Sequence, residues 1–318
     1  MKGLQRYIIR RSLQSIFLLW AISVISFTLM HIAPGGPVQF IEDPRLSQKH
    51  LEELERALGL DQPLPIQYFK WLWRVVQLDF GKSYDDRRPV IEKIAERIPA
   101  SVQLALAGMI LGLVVGIPLG FVCALKRGSW LDNTVRVLTV IGNAVPHWWL
   151  GLILILVFSF TFRIFPSGRM YTLGRGDILD RLWHIVLPAT ISALGGWITY
   201  SRFMRYEVVE VLHQDYVRTA LAKGLPWRVV LSRHVLRNAI LPIVTMMGGI
   251  LTIVISGSVL FERVFSWPGM GRMAYEAIGK RDYPLLMAIL MISSFLVIAG
   301  NLLADIAYSF VDPRVKYE

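Results

Sequence analysis

The sequence predicts an all-α integral membrane protein with six transmembrane helices. Three observations carry that expectation. Of the 318 residues 54% are hydrophobic, and the mean hydropathy is +0.49. The apolar residues come in long blocks rather than alternating, and a helix needs about 20 of them to cross the hydrocarbon core. Six blocks qualify: 12–33, 100–125, 137–162, 184–204, 240–261 and 284–310. Basic residues also collect on alternate connecting segments, as the positive-inside rule requires.

Taken in order, Lys2, Arg6, Arg10 and Arg11 precede the first block without an acid, which anchors that end in the cytoplasm. Six crossings return the C-terminus to the same side. The predicted inner segments hold sixteen Lys and Arg, seven of them from Arg202 at the end of block four to Arg237, against eight on the two short outer loops. The expected topology is N-in, C-in, in a plasma (inner) membrane. The net charge of +11 then follows from topology, and no nucleic-acid partner is needed. The first block is too long for a signal-peptide core, and Ala33-Pro34-Gly35-Gly36-Pro37 is a poor cleavage context. The chain thus divides into 1–33, the cytoplasmic N-terminus and first span; 34–99, an outer loop; 100–310, the remaining spans; and 311–318, a cytoplasmic tail.

The outer loop shows two amphipathic patterns. Leu51, Leu54 and Leu58 share one face of a helix over 50–60, and Phe69, Trp71 and Trp73 enrich a second over 67–78, suited to the membrane interface. Sixty-odd residues without disulfides cannot build a robust core alone, so the loop is expected to pack as a lid. Gly81-Lys82-Ser83 imitates the end of a phosphate-binding loop, but the position needing the first glycine is Val76. That reading is rejected, and no other stretch offers such a loop. Cys123 is the single cysteine, and the six histidines show no ligand spacing. Neither a metal nor a cofactor is expected on this chain.

Within the spans, Gly108, Gly112, Gly116 and Gly120 recur every four residues, and Gly248, Gly249 and Gly257 mark the fifth block. Close helix packing is the simplest reason. Asn143, Pro146 and His147 should bend the third span; they are either a packing kink or part of a pathway or gate. No carboxylate falls deep in a block, and Asp305 and Arg202 sit near predicted inner ends. An ion-coupled secondary carrier would ordinarily need such an acid. The energy for transport is expected from elsewhere.

The polar stretch 210–238 between blocks four and five is patterned. Val208, Val211, Leu212 and Tyr216 fall on one helical face, and Gly224-Leu225-Pro226 stops the helix. A second pattern restarts at Trp227 and puts Arg233 and Arg237 four apart, on one side. Spacing leaves two readings open, a hairpin solvated at the membrane surface or a docking element for a partner.

The run from Asp215 to Leu225, Asp-Tyr-Val-Arg-Thr-Ala-Leu-Ala-Lys-Gly-Leu, resembles the coupling-loop motif of ABC importer permeases. Aligned on Gly224, Arg218 replaces the motif's Glu, Thr219 and Ala220 occupy its two Ala positions, and His234 and Arg237 replace its Ile and Pro. These departures resemble the dipeptide/oligopeptide/nickel class. So do the Pro-Gly-rich run at 33–37, Leu78-Asp79-Phe80-Gly81-Lys82-Ser83, Phe265-Ser266-Trp267-Pro268-Gly269-Met270-Gly271-Arg272, Arg281-Asp282-Tyr283-Pro284 and Val311-Asp312-Pro313-Arg314. The resemblance covers residues 10–314 and implies the type I ABC importer permease fold.

It further implies an assembly. A second, homologous permease would complete the pathway, two ABC ATPase subunits would bind ATP and Mg below, and a substrate-binding protein would dock outside. Asp215, Tyr216, Arg218, Thr219, Ala220, Lys223, Gly224, Leu225 and Pro226 would couple to the ATPases, with Ala220 and Ala222 small enough to seat in a groove. Arg272 and Asp282 would contact the binding protein or stabilise the gate. Peptides are the expected cargo; nickel chelates or oligosaccharides on the same machinery are the alternative.

Overall fold

The computed structural model describes residues 2–32, 61–247 and 259–311, with side chains described for 9–32, 61–244, 246 and 259–302. Among them the chain is helical, apart from turns and one isolated bridge between Lys82 and Pro89. The elements are α1 Lys2–Ile32, α2 Leu64–Val76, α3 Val90–Leu125, α4 Trp130–Ala144, α5 His147–Leu154, α6 Ile178–Leu212, α7 Asp215–Ala222 and α8 Trp227–Val229. They continue with α9 Arg237–Ala239, α10 Leu241–Met247, α11 Val259–Val264, α12 Met270–Gly279 and α13 Tyr283–Val311. Two π-helical segments, Ile155–Thr161 and Val230–Leu236, extend α5 and α8.

Four helices are each long and apolar enough to span a membrane: α1, α3, α6 and α13. The third apolar block is a broken pair, α4 and the α5 segment, bent by 101°. Pro146 causes the break, because it has no N–H to give a continuing helix and pushes Val145 into extended backbone. The predicted bend is therefore present. Of the fifth block, only α10 and α11 lie within the described residues. The predicted helix over 50–60, the glycines at 248, 249 and 257, the run at 33–37 and the Asp312-Pro313-Arg314 end fall outside them, as does the Asp305 side chain.

The chain forms two compact units, 1–99 with 269–318, and 100–268. In the first, α1 packs along α13. Val90 and Ile94 at the start of α3 bury themselves against Met270, Met273, Ala277, Leu285 and Ala288 of α12 and α13. Loop 77–89 and the first turn of α3 are tied onto the start of α13. Asp282 is 1% exposed; it accepts hydrogen bonds from the Ser83 hydroxyl and, at 3.1 Å, the Tyr84 amide. Lys93 Nζ donates to Ser83 Oγ at 2.9 Å, and Lys280 Nζ reaches Asp85 at 2.6 Å. Leu78 and Gly81 both take left-handed backbone here. The imitation phosphate loop is thus a structural turn: no helix starts at Lys82, and the Ser83 hydroxyl is committed to Asp282.

In the second unit, α3 and α6 cross through the predicted glycine stripe. A methyl group on Gly108 would strike the Ser192 side chain, one on Gly112 would lie 3.3 Å from the Gly196 backbone, and one on Gly120 would strike the Ser201 backbone. Trp197 Nε1 donates across this crossing to the Leu111 carbonyl at 3.0 Å. Small residues let backbones approach where water supplies no hydrophobic drive. Phe265 and Trp267 are fully buried, and Trp267 Nε1 donates to Ala100 O at 2.8 Å. The Phe265 carbonyl accepts from the Arg169 amide at 2.9 Å, so the Phe-Ser-Trp-Pro run pins together α3, loop 163–177 and α11.

Candidate functional site: the hairpin after α6

The polar hairpin is two helices, not a continuation of α6. α6 ends at Leu212, His213 closes it, and Gln214 in extended backbone precedes α7. The single face predicted through Val208, Val211, Leu212 and Tyr216 is therefore broken. Val208 and Val211 are buried, whereas Tyr216 is exposed. Asp215 stands in the first turn of α7, where a negative charge complements the helix dipole.

α7 rests on the protein by a narrow face. Val217 and Ala220, three apart, are 1% and 4% exposed and join Met204, Val208, Val211, Val230, Val235 and Ile243 in one core. Ala220 therefore seats in this chain's own core, whereas Ala222 is exposed. Asp215, Tyr216, Arg218, Thr219, Lys223, Gly224, Leu225 and Pro226 are all exposed, as are Trp227 and Arg228. Arg218 and Asp215 approach to 3.7 Å, both well solvated, a pair worth about 0–1 kcal/mol. The face is net basic and open.

The helix stops as predicted. Gly224 has φ +77°, its amide donates to Leu221 O at 2.9 Å, and the Leu225 amide donates to Ala220 O at 3.3 Å. This is the Schellman pattern, which favours glycine because the left-handed conformation disfavours a Cβ. A Cβ on Gly224 would meet nothing within 4 Å, so the requirement is conformational and not a close approach within the chain. Pro226 then precedes α8, whose π-helical continuation widens the turn across Arg233. Arg233 and Arg237 both stay exposed.

α6, from which the hairpin springs, is tied to α4 by an ion pair that the sequence does not announce. Arg205, on α6, donates from Nε and Nη2 to the two oxygens of Asp132 at 2.6 and 2.8 Å. Asp132 lies in the first turn of α4 behind Ser129, which caps that helix, and also accepts from the Gly128 amide at 3.0 Å. The Ser-x-x-Asp run at 129–132 is a helix-start signal, but nothing nearby announces Arg205. Besides Asp132 and Asp282, Glu262 of α11 is a buried carboxylate, and it accepts from Ser101 Oγ at 2.6 Å. Asp132 and Glu262 both sit at the margins of the predicted apolar blocks, and each is engaged locally.

The remaining candidates are placed as follows. Asn143 and Pro146 are exposed at the α4–α5 bend, and the half-buried His147 ring lies against Gly195 of α6. Asp282 is buried and ties 83–84 to the start of α13. Arg272 pairs with Glu276 one turn along α12 at 2.7 Å.

These features define a multi-pass helical membrane protein with a solvent-facing basic hairpin built on one of its spans. The chain belongs to the family of binding-protein-dependent transport system inner membrane components, the permeases of ABC importers, which matches residues 116–317. The corresponding N-terminal family matches residues 4–105. The chain is 43% identical to the oligopeptide transport system permease protein AppB of Bacillus subtilis, over 98% of this chain and 99% of that one. It is 38% identical to a putative peptide transport system permease of Brucella abortus, over 98% and 99%. It is 36% identical to the glutathione transport system permease GsiC of Escherichia coli, again over 98% and 99%. A solved structure of the MetNI methionine ABC transporter in inward-facing form matches with a TM-score of 0.54 at 16% identity. That match covers 70% of this chain and 97% of the other, and shows the type I importer fold.

Proposed function

We propose that this chain forms half of the translocation pathway of an ATP-driven importer of di- and oligopeptides. The observation that carries the cargo is the full-length similarity to permeases whose names specify oligopeptide, peptide and glutathione transport. A second, homologous permease completes the pathway, and a substrate-binding protein delivers the peptide from outside. Two ABC ATPases hold ATP and Mg on the cytoplasmic side, and the catalytic step belongs to them. The N- and C-termini lie on that same side.

In this reading the exposed surface of α7 and the turn after it, from Asp215 to Pro226, receives the movement of an ATPase subunit. Val217 and Ala220 hold α7 to the core of Met204, Val208 and Val235, so a push on it is carried into α6. The Arg205–Asp132 pair carries it on to α4, and the bend at Pro146 with Asn143 and His147 is where the pathway changes. Asp132 is already ion-paired and Glu262 is hydrogen-bonded, which disfavours either as the proton carrier of an ion-coupled transporter. The test is reconstitution of the complex in vesicles with its binding protein. Peptide should stimulate ATP hydrolysis; stimulation by oligosaccharide or a nickel chelate alone would reject peptide as cargo.

A further inference from the structure

We infer that α2 is immersed in the bilayer interface beside α1, with Ile66, Phe69, Trp73 and Val76 against lipid acyl chains. Depth is set by its partners. The apolar span of α1 is Ile9–Ile32. Gln67 Oε1 meets His31 Nε2 at 3.2 Å. The rings of Tyr68 and Trp71 pack on Phe27 at 5.5 and 5.7 Å, and the Tyr68 hydroxyl meets Ser23 Oγ at 2.8 Å. Those three α1 positions, 31, 27 and 23, fall on successive turns of one helix face and cover about 12 Å of rise at 1.5 Å per residue. Contacts that reach Ser23 place α2 beside the last ten residues of the 24-residue span. A helix lying wholly above the membrane could not reach that far down.

The two faces of α2 agree with that depth. Gln67, Tyr68, Trp71, Leu72 and Val75 turn inward, and Ser23 at 0% exposed has its hydroxyl met by Tyr68 and by the Trp20 carbonyl. The outward residues Ile66, Phe69, Trp73 and Val76 follow at i, i+3, i+7 and i+10 and are 47%, 66%, 66% and 69% exposed. In water this would be an unexplained apolar stripe; in the acyl–headgroup boundary, Trp and Phe beside a charged edge are the expected composition. Lys70 and Arg74 supply that edge, Arg74 held by Asp79 at 2.8 Å. The same end of α1 exposes Ile25, Leu29 and Ile32, a stripe that a spanning helix turns to lipid. Bilayer is the occupant because it already surrounds the α1 turns that α2 covers. The inference rests on membrane insertion alone and is independent of cargo and of ATP coupling.

The test uses the full chain in its reconstituted complex, with Trp73→Cys and Phe69→Cys carrying a bimane label and Lys82→Cys as the water-facing control. Quenching by phospholipid with a nitroxide high on the acyl chain is compared with quenching by iodide. Labels at 69 and 73 should be quenched several-fold more by the lipid nitroxide than the control and be shielded from iodide. Iodide quenching at 73 equal to that at 82 would place the face in water and overturn the proposal. Shielding from both quenchers would put a protein surface there, the second permease or the binding protein, and overturn it equally. Should Trp73→Cys fail to insert, Ile66→Cys and Val76→Cys interrogate the same face.

Discussion

Asp132 is fully buried at the start of α4, and the Arg205 guanidinium grips both of its oxygens from α6. Such a pair is not a large net source of stability, since both charges lose water to form it. Removing one partner is different, because the survivor is left buried and unmatched at about 3–5 kcal/mol. The Arg205 side chain keeps 25% of its exposure, which moves the expected loss for Asp132→Ala to the lower end, about 3 kcal/mol. Thermal unfolding of the purified chain in detergent checks this. Adding Arg205→Met should restore most of the loss, since no lone charge then remains. A single variant that melts like the unaltered protein would show that the pair does not hold α4 to α6. The strained turn residues act at the same scale. Leu78, Ser266 and Arg281 take left-handed backbone without being glycine, at about 1–2 kcal/mol each. All three fall in the runs that carried the family resemblance, so part of what makes those runs recognisable is turn geometry.

Among the elements, α3 and α6 depend on the absence of side chains. Gly120→Val would force β-branched bulk into the Ser201 backbone and the Met204 side chain, where nothing can yield without moving a helix. Overpacking of that kind costs about 1–3 kcal/mol. Gly176→Ala, in the open loop before α6, meets nothing within 4 Å and should be neutral. Comparing the unfolding temperatures of the two variants tests whether the stripe is a packing seam; equal values would contradict it. This seam was legible beforehand because four-residue spacing is a property of one helix, as was the Pro146 bend, which one residue causes. The α6–α7 break was not legible. His213 and Gln214 carry no Gly or Pro, and the apolar period runs through them. Both π-helical segments were equally silent in composition. The ties of Ser83 to Asp282, 199 residues apart, and of Arg205 to Asp132, 73 apart, belong to tertiary structure and leave no local trace. Ala220 was assigned outward for its size, yet the Val217–Ala220 spacing is also what an inward face requires.

At the scale of the whole molecule, the proposed coupling requires that an external push on the eight residues of α7 reach the pathway. α7 buries only Val217 and Ala220 against its own chain, so its orientation depends strongly on the turns at its ends. The first is the extended Gln214; the second is the left-handed Gly224. Proline at 224 cannot adopt φ +77°, being confined near −65°, and it deletes the amide that bonds Leu221 O. Gly224→Pro should therefore cut peptide uptake by an order of magnitude or more. Insertion and assembly should survive, because no core residue is altered. Gly224→Asp should fall between, since its Cβ has room and only the backbone conformation is penalised, by about 1–2 kcal/mol. Gly224→Asn should be nearest to normal, as asparagine tolerates the left-handed region best. Uptake of labelled peptide into ATP-loaded vesicles, normalised to the assembled complex recovered from them, measures the series. The order Asn, Asp, Pro in falling transport is what a turn that orients a lever predicts. Transport at full rate in the proline variant would mean that α7 does not carry the force.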